Sequence, residues 1–199
     1  MNTAMNTETE LIRQLHGIDA SDEVIEWARS LGPVSAQAAW DQCGNPGYMF
    51  HALGKAGCFG AADSVERKTI TACAVEIASQ VADMWTPEIK IEVAVVRRWT
   101  EGLASAAAAA ESREKLWLYR CAADGTAAAA DAAYYAADAA ASKAAADAAD
   151  AAYVAARAAD AAAIAVGGGV QTQTDQQTVA IIRRHYPVAP SLEVIDRAR

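Results

Sequence analysis

The sequence predicts an all-α fold, a multi-helix bundle with one long Ala-rich helix. Three observations carry this. Apolar residues recur at spacings of three and four through most of the 199-residue chain. A capping residue followed by proline opens a segment twice, at Asn45-Pro46 and Thr86-Pro87. From Thr126 to Val166, 26 of 41 residues are Ala, with neither Gly nor Pro among them, so this stretch is built from the best helix former there is.

Residues 1–18 read as a flexible N-terminal segment, residues 19–186 as the helical domain, and residues 187–199 as a C-terminal tail. Asp19 to Leu31 places Val24, Ile25, Trp27, Ala28 and Leu31 at helical spacing, with Asp19 or Ser21 as a cap and Gly32-Pro33 as a stop. Ser35 caps a short helix that holds Trp40 and ends near Cys43-Gly44. Asn45-Pro46 opens a segment with Tyr48, Met49, Phe50 and Leu53. A longer helix starts near Asp63 or Ser64 and runs to Trp85 through Val65, Ile70, Cys73, Ile77, Val81 and Met84. The run Ile89, Ile91, Val93, Val95, Val96 and Trp99 has the β-branched content of a strand, but Thr86-Pro87 ahead of it argues for a helix, which Gly102 ends. Ser105 to Ala123 forms another helix, and Asp124-Gly125 a turn. The Ala-rich helix, if unbroken over residues 126–166, is about 60 Å long at 1.5 Å per residue, so it either projects from the domain or bends around it. Gly167-Gly168-Gly169 ends it. Gln171 to Asp175 reads as a polar linker to a short final helix with Val179, Ile181 and Ile182.

Placed on a helical wheel at about 100° per residue, the charged residues Asp131, Asp138, Lys143, Asp147, Asp150, Arg157 and Asp160 share one half of the Ala-rich cylinder. Ala133, Ala137, Ala140, Ala144, Ala148 and Ala151 fall on the other half. A flat Ala face suits close helix packing. It serves intramolecular packing on the Trp-bearing helices, self-association, or docking of a partner. On the charged half, Tyr135 and Tyr153 are five turns apart and point the same way. Aromatic rings among charges are common in binding hot spots, and the same rings also serve to brace a neighbouring helix. The candidate partner-binding set is Asp131, Tyr135, Asp138, Tyr153, Arg157 and Asp160, with both tyrosines expected to be more exposed than the other tyrosines.

The formal net charge of −8 and a pI near 4.9 repel a phosphate backbone, which excludes direct nucleic-acid binding, and suit basic protein partners. Cys43, Cys58, Cys73 and Cys121 form no CxxC pair and read as free thiols. The N-terminus lacks the basic and apolar regions of a secretory signal. The Ala-rich stretch carries five aspartates, too many for lipid. These features place the chain in the cytoplasm, away from the membrane. No Gly-rich phosphate loop, nucleophile elbow or metal-ligand spacing around His16, His51 or His185 occurs. The sequence therefore predicts no cofactor, no metal and no enzymatic activity. Ala-rich helices that bind ice carry regularly spaced Thr on the Ala face, and no Thr occurs between Thr126 and Val166.

Several landmarks recur in a fixed order. Ala39-Trp40-Asp41-Gln42-Cys43 precedes Gly47-Tyr48-Met49-Phe50, then Arg67-Lys68 and Ala72-Cys73-Ala74, then the Ala-rich stretch. This order resembles the immunity-protein-like domains of actinobacteria and their phages, the fifth of the numbered immunity families of polymorphic-toxin systems, over roughly residues 24 to 186. Trp40, Cys43 and Cys73 match that pattern, and Tyr48 departs from it, since the family usually has Trp there. The resemblance implies an all-α protein that neutralises a toxin or effector by binding it, or, in a phage, one that inhibits a host defence component. A structural protein that forms a homo-oligomer through its Ala-rich helix is the alternative.

Overall fold

The computed structural model describes residues 9–122, 127–141, 153–154, 157, 161 and 171–191. These are all-α. The elements are α1 (Glu10–Gly17), α2 (Asp22–Ser30), α3 (Ala36–Gln42), α4 (Pro46–Lys55), α5 (Val65–Ala78), a 3-10 helix (Ser79–Met84), α6 (Pro87–Thr100), α7 (Ala106–Ala122), α8 (Ala127–Ala141) and α9 (Gln171–His185). Side-chain caps start most of them. Ser35 Oγ accepts from Ala38 N at 3.1 Å, Asn45 Oδ1 from Gly47 N at 2.8 Å, Ser64 Oγ from Arg67 N at 3.1 Å and Ser105 Oγ from Ala108 N at 3.2 Å. Each satisfies a backbone N–H that the first turn leaves unpaired, worth about 1 kcal/mol.

The β-branched run after Pro87 is a helix. Ile89, Val93, Val96 and Trp99 are buried, whereas Ile91 is 62% exposed. That is a period near 3.6; a strand would bury Ile89, Ile91 and Val93 together.

Two expectations are corrected. Residues 10–17 are not outside the domain: α1 buries Leu11, Ile12 and Leu15, with Thr9 as its cap. Glu10, Arg13 and Gln14 disguise an amphipathic helix of about two turns, whose buried Leu11 and Leu15 are one turn apart. The polar stretch from Gln171 to Asp175 is not a linker but the first part of α9. It buries Thr174 and Thr178 along with Val179, Ile181 and Ile182, so threonines complete the inward stripe. The start of the expected tail is non-helical and is held to α3: Gln37 Nε2 donates to Pro187 O at 3.3 Å, and Ala189 N donates to Gln37 Oε1 at 2.8 Å.

Two apolar clusters meet at Trp27, Tyr48 and Ala52. The smaller gathers Leu11, Leu15, Val24, Ile25 and Ala39 around α1 and α2. A cavity of about 40 Å³, lined by Leu11, Trp27, Trp40, Met49 and Pro190 among others, remains between the two. The larger cluster fills the space around α8, which packs on α5, α6, α7 and the 3-10 helix. Ala129, Ala130, Ala132, Ala133, Ala136, Ala137, Ala139 and Ala140 are all buried. These positions cover most of the helix circumference, so α8 is a central helix with one polar stripe, not a half-and-half amphipath. A helix enclosed on nearly all sides must be apolar nearly all round. Alanine suits the place because Ile70, Ile77, Trp85, Trp99 and Leu116 from the surrounding elements supply the bulk. Trp85 Nε1 donates to Ala129 O at 3.0 Å. The alanines of α8 are thus covered by their own chain, and self-association through Ala133, Ala137 and Ala140 has no free surface to use. The expected single helix over residues 126–166 lies partly outside the described residues; Tyr153, Val154, Arg157 and Ala161 are helical.

Candidate functional site

The polar stripe of α8 faces α7, and the two helices form an antiparallel pair. Arg113 Nε donates to Asp138 Oδ1 at 2.6 Å, and its Nη2 to Tyr134 Oη at 3.0 Å. Arg120 Nε donates to the Asp131 carboxylate. Between them Trp117 packs on Tyr134 with ring centroids 5.3 Å apart. The three pairs are nested: a step of four and then three along α7 is matched by the same step back along α8. This is the spacing of a heptad seam, here filled by ions and rings where a coiled coil has leucines.

The rings and cations interlock. Tyr134 and Tyr135 meet edge to face at 5.0 Å. The Arg120 guanidinium lies 5.1, 5.3 and 5.0 Å from the rings of Trp117, Tyr134 and Tyr135, and that of Arg113 lies 5.4 Å from Tyr134. These are cation–π distances. Burial, then the Asp138 carboxylate, push the Tyr134 hydroxyl above its ordinary pKa. Trp117 is 42% exposed, and Leu118 beside it also stands in solvent, so the outer wall of the cluster is open.

Of the residues singled out by the sequence, the fold brings Asp131, Tyr135 and Asp138 together on this seam. Both carboxylates are ion-paired within the chain, to Arg120 and Arg113, where the sequence suggested a solvated acidic face. Tyr135 is half-buried, and Tyr153 is 40% exposed, so neither is fully buried. The two rings do not form one patch through a shared neighbour: Tyr135 abuts Arg120 and Tyr134, whereas Tyr153 lies against the start of α4, where a Cβ on Gly47 would stand 3.1 Å from its ring. Arg157 is at an exposed helical position. Asp160 lies outside the described residues. Arg113, Trp117 and Arg120 complete the seam from α7, outside the Ala-rich stretch. A signal existed: two arginines seven apart before Gly125 mirror two aspartates seven apart after it.

Elsewhere the polar groups serve the fold. Arg67 is fully buried and donates to Phe59 O and Gly60 O, each at 3.1 Å, closing the loop before α5. Arg183 Nη2 donates to the carbonyls of Trp40 and Cys43 at 3.0 and 2.8 Å, satisfying the end of α3. The Cys43 thiol donates to Asn45 O at 3.4 Å, and burial pushes its pKa up, the reverse of what an activated thiolate needs. His185 Nε2 lies 2.9 Å from Glu76, which also holds Arg184. Among the described residues no group of three or more His, Cys, Asp or Glu could hold a metal ion, and no helix is long and apolar enough to cross a membrane.

Comparison with protein-family models, with curated proteins and with solved structures finds no match to this chain.

Proposed function

We propose that this protein is a non-enzymatic inhibitor that binds and neutralises another protein, a toxin, an effector or a host defence component, and that the α7–α8 seam is its contact face. The observation that carries this reading is the half-open cluster of Trp117, Tyr134, Tyr135, Arg113 and Arg120. Trp, Tyr and Arg are the residues in which binding energy concentrates. Here the rings of Trp117, Tyr134 and Tyr135 are in mutual contact, so little of their side-chain freedom is lost on binding. The net charge of −8 favours a basic partner. The order of landmarks shared with immunity-like domains supports neutralisation over scaffolding. Four free thiols suit a reducing cytoplasm.

The test is capture of partners from host lysate, followed by mass spectrometry, with wild type, Trp117→Ala and the Tyr135→Ala/Tyr153→Ala double variant run side by side. A stoichiometric basic protein retained by wild type and lost with Trp117→Ala is the expected result. A chain that only self-associates, or a partner held equally by all three, overturns the assignment of this face.

A further inference from the structure

Arg120 is enclosed by three rings contributed by two helices, with a carboxylate on the remaining side. Trp117 comes from α7, Tyr134 and Tyr135 from α8, and Asp131 accepts from Nε. A cation within about 6 Å of several ring faces and beside an anion is the arrangement by which proteins recognise cationic side chains. In this chain the occupant is its own. We propose that Trp117, Tyr134, Tyr135 and Asp131 form a guanidinium-binding cage that Arg120 fills in the free protein and that an arginine of a basic partner protein takes over on binding.

Three observations argue for a site over a brace. Trp117, one of the cage walls, is 42% exposed, and Arg120 itself is only part-buried, so an incoming side chain has access. The brace already exists seven residues away: Arg113, Asp138 and Tyr134 join the same two helices in the same register. Arg120 is also two residues from the end of α7 at Ala122, beside the exposed Cys121 and Ala122. The exchange replaces one guanidinium by another, so neither Asp131 nor any ring loses its partner, and the acidic chain attracts a basic protein to it. This inference rests on the protein-binding reading and adds the chemistry of the anchor.

The cage is tested without the partner. Full-length wild type and Arg120→Met, which keeps length and packing while removing the charge, are titrated with the capped peptide acetyl-Gly-Arg-Gly-amide and with its citrulline counterpart. The readout is the indole N–H resonance of Trp117, assigned through Trp117→Phe. If Arg120 fills the cage about nine-tenths of the time, removing it raises the apparent affinity about tenfold. The expected result is a saturable shift in Arg120→Met at about tenfold lower arginine peptide than in wild type, silence toward citrulline, and loss of the effect when Asp131→Asn is added. Equal responses of wild type and Arg120→Met, or equal responses to both peptides, overturn the proposal. If Arg120→Met lacks the helical circular dichroism of wild type, Arg120→Lys replaces it: an ammonium matches the cage less well, so arginine peptide should still bind more tightly than to wild type, and an unchanged response overturns the cage. A failed titration beside a partner lost with Trp117→Ala removes the cage and leaves the binder.

Discussion

Helices α5 and α8 pack against each other in the same core and are built from opposite materials. Helix α5 buries Ile70, Cys73, Val75 and Ile77 together with Arg67 and Thr71. Helix α8 buries alanines and one tyrosine. The large side chains of α5 remove much apolar area from water and interdigitate, so they hold the helix in place by shape as well as by energy. The alanines of α8 bury little area each and leave a surface with few ridges. What they contribute is spacing: they allow three helices and a 3-10 turn to close around one cylinder. A smooth helix in a crowded core still needs something to stop it sliding or turning. The seam to α7 supplies this, since Arg113–Asp138 and Trp117–Tyr134 are satisfied in a single register. Stability in this region therefore comes from α5 and its neighbours, and orientation comes from the polar stripe of α8.

The contrast can be broken from either side. The largest effect is expected from truncating α5. Ile77 has no exposed surface, and Ile77→Ala should lower unfolding free energy by about 2–5 kcal/mol, read as a drop in denaturation midpoint at constant slope. A loss below about 1 kcal/mol would mean that bulk on α5 is not what holds this core. In α8 the damaging change runs in the opposite direction. Ala133→Leu adds volume where none is exposed and should cost about 1–3 kcal/mol through overpacking. A neutral or stabilised variant would show that α8 has room and that alanine is there for propensity alone. The smallest effect belongs to the seam. In a double-mutant cycle of Arg113→Ala and Asp138→Ala, a coupling of about 0.5–1 kcal/mol is expected, as for a part-exposed ion pair. The more telling readout is order. The double variant should broaden the amide resonances of α8 while those of α5 stay sharp, and uniform sharpness would assign the register to packing instead.

Much of this fold is legible from neighbouring residues. Ser35, Asn45, Ser64, Thr86 and Ser105 each satisfy an amide within the first turn of their helix, and the Pro87 start outweighed the β-branched run that follows it. Errors arose where polar residues sit on a buried face. Thr174 falls in the stretch expected as a linker and is buried, and Glu10 masks the apolar stripe of α1. The candidate site shows the same limit. Asp131, Tyr135 and Asp138 stand out on a helical wheel, but the wheel could not say that their stripe would be answered by Arg120, Trp117 and Arg113.

The sequence by itself determined that the chain is helical, where most helices start, and which residues of the Ala-rich stretch are polar, because caps, propensity and periodicity act over a few residues. Tertiary structure alone decided that α8 would be enclosed and that its carboxylates would be ion-paired to α7. Arg113 and Asp138 are 25 positions apart, and Arg67 reaches the carbonyl of Ala139 across 72. No local preference links such residues; the burial of the larger side chains between them does.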